Sequence, residues 1–240
     1  MSKGNVGVDR YLGHSINLDA HLAESLSSLL QRGYLASIPT NAGWISSLAG
    51  SGAAAQNPFG NYFDTGATAN SKALLYCYVS GMNIGSHQDY IDWDRKLYFL
   101  FNLMRANSDA EAVARVQIKQ TNAEGALAAK GIGLRIDNLA LVGESYGTAL
   151  GVVDLATSLG ADYQVVQVVI VHDPGASIKW YIRTTAGGTL TLKGTQSTVA
   201  NIPSGLAGAG STLVHSIING ATGGVAARMR VLFPTLWQER

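Results

Sequence analysis

Several stretches of this chain repeat apolar and polar residues with a period of two. Val116 and Ile118 alternate with Arg115, Gln117 and Lys119, and Ile178, Trp180 and Ile182 alternate with Lys179, Tyr181 and Arg183. Leu190 and Leu192 alternate with Thr189, Thr191 and Lys193, and Met229, Val231 and Phe233 with Arg228, Arg230 and Leu232. Period two belongs to a strand with one buried and one polar face, the pattern of antiparallel sheets. More continuous apolar runs, 97–103 and 165–171, suit central strands. With 73–79, 132–142 and 212–218, about ten strands recur at short intervals, which predicts an all-β, antiparallel two-sheet sandwich or jelly roll.

Residues 1–57 follow a different pattern. Asn17 is placed to cap a helix, and Leu18, Leu22, Leu26, Leu29 and Leu30 recur at helical spacing up to Gly33. A leucine stripe on a short helix must be buried, so these residues are expected to dock on a partner. The following stretch, 46–55, is made of Ser, Ala and Gly with one Leu and reads as a flexible link or extended arm. The expected organisation is a helix, arm and linker over 1–57 and a β-sandwich over 58–240.

The centre of the chain carries Gly143-Glu144-Ser145-Tyr146-Gly147, a match to G-x-S-x-G, the nucleophile elbow of serine hydrolases. Asp173 and His215 follow in the order of a catalytic triad. The alternating strands after residue 176 leave no room for the strand–helix units of that fold. Asp173 also follows Ser145 too closely for a further crossover, and no Gly-rich oxyanion loop precedes the elbow. The expectation is therefore a turn between strands, with Ser145 and His215 apart and no catalytic residue.

Other chemistry-bearing residues are sparse. His14, His21, His87, His172 and His215 show no zinc spacing, and no metal or other cofactor is expected. Asp89, Asp92 and Asp94 lie within six residues but lack the spacing of a calcium loop, so they read as a solvated turn. Asp109 and Glu111 read as a hairpin turn, and no paired carboxylates on an apolar strand suggest a glycosidase. The single cysteine, Cys77, sits in an apolar run and reads as a buried, inert thiol.

Only 14% of residues are charged, against roughly 25% in an average soluble chain. The net charge of +1 leaves no electrostatic footprint for nucleic acid or an anionic membrane. The polar N-terminus lacks a secretory signal, and no run of about 18 apolar residues predicts a membrane span.

Residues from about 70 to 240 resemble a concanavalin A-like lectin/glucanase sandwich of the kind found in bacteriophage virion proteins. The resemblance is carried by 96–104 and 114–120 as paired central strands, by 131–138, and by 163–171 leading into the turn His172-Asp173-Pro174-Gly175. It continues through 178–182, the 187–191 turn and strand, 217–223 and the final Leu236-Trp237-Gln238. It implies the two-sheet fold and a setting on a virus particle. The metal ligands of legume lectins and the acid pair of glucanases have no counterpart here.

The resulting expectation is a non-enzymatic viral structural protein, such as a capsid decoration, turret or spike subunit. It would be made without a signal peptide and located in the virion. Its partners would be itself, as a symmetric homo-oligomer such as a trimer, and other capsid proteins. An expectation from a different class is a carbohydrate-binding module for a host-surface glycan, with Tyr90, Trp93, Asp173 and Asn219 making the contacts.

Overall fold

The alternating segments pair into two antiparallel sheets. The computed structural model describes residues 34–37, 44–57, 60–78, 91–106, 111–159, 164–185, 188–205 and 211–239. The helix expected over 17–33, with its five leucines, lies outside these residues, as does Tyr90. The strands are β1 (Tyr34–Ser37), β2 (Ile45–Ala49), β3 (Ala53–Asn57), β4 (Gly60–Asp64), β5 (Lys72–Tyr78), β6 (Leu97–Ala106), β7 (Val113–Lys119) and β8 (Gly131–Asp137). They continue as β9 (Ala140–Tyr146), β10 (Leu150–Ser158), β11 (Val165–Asp173), β12 (Ser177–Arg183), β13 (Thr191–Gln196), β14 (Thr212–Ile218) and β15 (Arg228–Gln238).

One sheet has eight strands in the order β13-β12-β11-β6-β15-β4-β3, with β1 added against β15. The other has seven, in the order β10-β9-β8-β7-β14-β5-β2. This is an all-β, antiparallel two-sheet sandwich. Strand β15 carries a change of partner. Its first half pairs with β4 up to Leu232, and from Thr235 onward that side is taken by β1. Pro234 lies at the handover, where a residue without an N–H cannot serve a ladder bond.

The core lies between the sheets and follows the alternation. Phe99, Phe101, Val168, Ile170, Ile178 and Ile182 face Val116, Ile118, Leu134, Ile136 and Leu213 in one continuous buried cluster. Trp180 crosses this core to reach the opposite sheet. Its indole Nε1 donates to the Gly133 carbonyl of the opposite sheet at 3.0 Å. A Cβ at Gly143 would lie 2.6 Å from the Trp180 ring, so only glycine fits beneath it.

Three sequence readings change. The stretch 46–55 is extended, but it supplies the edge strands β2 and β3, paired to β5 and β4. Backbone hydrogen bonds hold an edge strand without large side chains, which is why a small-residue segment suffices there. The run 132–142 is two strands joined at Asn138 and Leu139, which both have positive φ as a type I′ hairpin requires. Leu192, expected inside, is 49% exposed because β13 is an edge strand whose alternation places it on the outer face.

Two predictions follow from this core. Gly143→Ala forces a methyl group into the Trp180 ring and should cost about 1–3 kcal/mol, the scale of overpacking, read as a lower urea midpoint. The other concerns His215, which is fully buried beside Trp44 at a ring separation of 4.9 Å. The Asn61 amide donates to its Nδ1 at 3.2 Å, and burial pushes the imidazole down to about 3. The folded chain therefore binds fewer protons than the unfolded one between pH 3 and the ordinary 6.5. The stability this confers is present above 6.5 and lost as pH falls. His215→Phe should move the acid-unfolding midpoint to lower pH, measured by circular dichroism.

Candidate functional site

On β7 the inward residues are Ala114, Val116 and Ile118, so Arg115, Gln117 and Lys119 occupy the outer face of the seven-stranded sheet. Strand register extends that face sideways. Gln117 lies opposite Gly133, and Gly133 lies opposite Glu144. Arg115 lies opposite Arg135, and Lys119 opposite Gly131, which in turn lies opposite Tyr146. An outer sheet face normally meets water. Here Gln117, Lys119 and Glu144 are all buried.

Gly133 makes the central contact possible. A Cβ there would lie 2.7 Å from Cγ of Gln117, whereas glycine leaves a trough across β8. Across that trough the Gln117 amide donates to Glu144 Oε2 at 2.7 Å. The same carboxylate is flanked by two guanidinium groups, with Arg115 Nε at 3.5 Å and Arg135 Nη1 at 3.6 Å. Arg135 also faces Asp137 at 3.7 Å. Four buried atoms in this group, Arg115 Nε, Gln117 Oε1, Arg135 Nε and Glu144 Oε1, have no hydrogen-bond partner.

The connection between β7 and β8 closes one end of the trough. Leu127 is buried with its side chain over Gly131, and Glu124 pairs with Lys72 of β5. Lys119 Nζ donates to the Gly125 carbonyl of the same connection at 3.4 Å. Desolvation pulls the Lys119 amine down to about 8, helped by the Arg115 charge and opposed by Glu144 and Glu124. Arg115 is also lowered, first by burial, with Arg135 adding to the shift and Glu144 opposing it. The open end lies at Arg135 and Asp137, whose side chains are 25% and 51% exposed. The arrangement can donate from cations and an amide, accept at a carboxylate, and present Tyr146 as a half-buried aromatic edge.

The residues named from sequence lie elsewhere. Trp93 is fully buried, with its ring edge-on to His172 at 5.4 Å, so it offers no face to a ligand. Asn219 is buried at the opposite end of the sandwich from Trp93 and Asp173. Its amide donates to the Gly66 and Thr68 carbonyls, holding the β4–β5 turn. Asp173 sits at the end of β11, 3.9 Å from Lys96. The structure thus does not bring Trp93, Asp173 and Asn219 together. Asp92 accepts from the Asp94 backbone and from Arg95, and Asp94 accepts from the Gly205 N–H, so both carboxylates hold turns.

The G-x-S-x-G match lies within strand β9 up to Tyr146, and the chain reverses only after it. Its glycines serve packing: Gly143 seats Trp180, and a Cβ at Gly147 would lie 2.4 Å from the Ile202 carbonyl oxygen. Ser145 faces inward, buried, without a hydrogen-bond partner for Oγ. His215 lies on β14, three strands away in the order β9-β8-β7-β14, about 14 Å at the usual strand spacing. The buried charge sits one residue before the serine, at Glu144. The signal that marks it is a charged residue at one parity on three successive central strands: Arg115 and Lys119, Arg135, and Glu144.

No protein-family model and no curated protein matches this chain by sequence. Solved structures match by shape. The carbohydrate recognition domain of Emp47p is similar with a TM-score of 0.55 at 10% identity, over 87% of this chain and 97% of that one. A protein of unknown function from Shewanella oneidensis MR-1 is similar with a TM-score of 0.56 at 12% identity, over 87% of each chain. The binding domain of botulinum neurotoxin serotype D/C is similar with a TM-score of 0.52 at 10% identity; 88% of this chain matches 50% of that one. At these identities the likeness is one of fold, and it agrees with the strand pairing in defining a lectin-like β-sandwich.

The buried Lys119 has a consequence for pH. Its folded value of about 8 lies below the ordinary 10.5, so the unfolded chain binds more protons between these limits. This residue's contribution to stability therefore rises as pH rises through that window. Lys119→Met should flatten the rise, seen as a smaller difference in urea midpoint between pH 8 and pH 10.

Proposed function

We propose that the protein is a carbohydrate-binding sandwich that takes its ligand on the outer face of the seven-stranded sheet, without catalysis. The observation that carries this reading is the buried row Gln117–Gly133–Glu144 with its unpartnered polar atoms. Buried polar groups are almost always hydrogen-bonded, so such atoms on a sheet's outer face indicate a missing polar partner. Sugar hydroxyls both donate and accept and suit a mixed set of amide, carboxylate and guanidinium groups. Emp47p, whose matching domain is named for carbohydrate recognition, has the same fold. The absence of catalysis is supported by Glu144 lacking a second carboxylate on the facing strands β7 and β8 at its own level, where Gln117 and Gly133 stand instead.

A glycan array read at millimolar sensitivity tests this. At least one glycan should bind, and Glu144→Gln and Gln117→Ala, with folding checked by circular dichroism, should weaken it by about ten- to a hundredfold, the scale of losing hydrogen bonds to charged groups. No bound glycan, or a bound glycan indifferent to both substitutions, would overturn the reading.

In its biological setting the sandwich is an outward-facing structural component of a virus particle, associated with copies of itself. Low charge supports this, as do the exposed Leu150, Val152 and Leu192 along the edge where β10 and β13 meet. Exposed apolar side chains at a sheet edge favour a second protein chain. Co-sedimentation with purified particles and an oligomeric mass are the expected results. A stable monomer absent from particles would rule the setting out.

A further inference from the structure

We infer that the outer-face site selects an anionic saccharide, whose acidic group is held by Arg135 and Arg115 at the open end of the trough. The inference rests on the carbohydrate-binding reading and adds the chemical class of the ligand. Its basis is an imbalance of charge among the residues that meet there. Arg115, Arg135 and Lys119 are three cations, and the carboxylates paired with them are two, Glu144 and Asp137. Glu144 serves both arginines, at 3.5 and 3.6 Å, so neither has a close bidentate partner. Lys119 has no carboxylate within ion-pair distance among the described residues; its one hydrogen bond goes to a backbone carbonyl at 3.4 Å.

Buried cations require pairing, because burial removes the water that would otherwise stabilise them. The planar fork of a guanidinium matches a carboxylate or sulfate in two parallel hydrogen bonds, a match that a neutral hydroxyl cannot provide. Access favours the same end. Arg135 is partly open and Arg115 slightly so, while Gln117 and Glu144 are closed and Lys119 lies under the β7–β8 connection. An incoming acidic group therefore meets Arg135 and Arg115 first. It displaces the weak contact to the half-exposed Asp137, while Gln117 and Glu144, closed beneath the two guanidinium groups, hold Arg115 and Arg135 in place from below.

The experiment compares 3′-sialyllactose and a chondroitin tetrasaccharide with lactose and maltotriose, by calorimetry on the full chain. The acidic sugars should bind about tenfold more tightly than the neutral ones, the scale of one charge-assisted hydrogen bond, and the preference should fall with added salt. Arg135→Gln should abolish the preference. Asp137→Asn, at an exposed position that does not threaten folding, should instead raise affinity for the acidic sugars, because it removes the competing carboxylate. Equal binding of neutral and acidic sugars, or no gain in Asp137→Asn, overturns the anionic inference and leaves the carbohydrate reading standing. Failure of every glycan, here and on the array, overturns both.

Discussion

The Trp180 indole spans the sandwich and fixes two positions of the opposite sheet. The indole needs a flat floor, which Gly143 supplies, and an acceptor, which is the Gly133 carbonyl. Both glycines lie in neighbouring central strands, and neither position tolerates a side chain. Gly133 then acts in the other direction too. The space its missing side chain leaves on the outer face is where Gln117 reaches Glu144. Core packing and the polar row are thus coupled through one residue of β8. A change that tilted this strand to relieve the tryptophan would also separate the amide from the carboxylate.

This coupling explains why a short motif pointed toward the wrong chemistry. In a hydrolase elbow, glycines flank a serine because the backbone turns sharply there. In this chain the glycines at 143 and 147 are required by neighbours distant in sequence, Trp180 and Ile202, and the backbone at Ser145 is ordinary strand. A five-residue pattern records that small residues are needed without recording why. Strand alternation decides the matter, since Ser145 has inward parity and Glu144 outward.

Much of the architecture was legible because alternation is a local property: β7, β12 and the first half of β15 follow directly from their apolar and polar residues. The edge strands β2 and β3 were not, because Ser46, Ser47, Ala53 and Ala55 hold their places through backbone pairing, and their side chains carry no period. The site was legible only in part. Arg115, Gln117 and Lys119 stood out as a polar face, yet nothing local distinguishes a solvated face from a buried one. That distinction depends on Leu127 and Glu124 folding back, and on register bringing β9 beside β8. Trp93 and Asn219 misled for the converse reason: residue types that favour ligands also serve turns and cores, and only packing reveals which.

Strand β15 sits in the interior of the eight-stranded sheet, between β6 on one side and β4 and β1 on the other, although its residues, 228–238, lie last among the described strands. Without it the sheet falls into three pieces, β13-β12-β11-β6, β4-β3 and a lone β1, with no strand pairing between them. During synthesis, β6 and β4 must therefore wait with open edges until more than a hundred further residues have been added. Pairings this distant in sequence make folding slow and expose unpaired edges meanwhile. The sandwich is accordingly completed only once Arg228–Gln238 has been made, and a ribosome that stalls before Arg228 leaves a chain prone to aggregate.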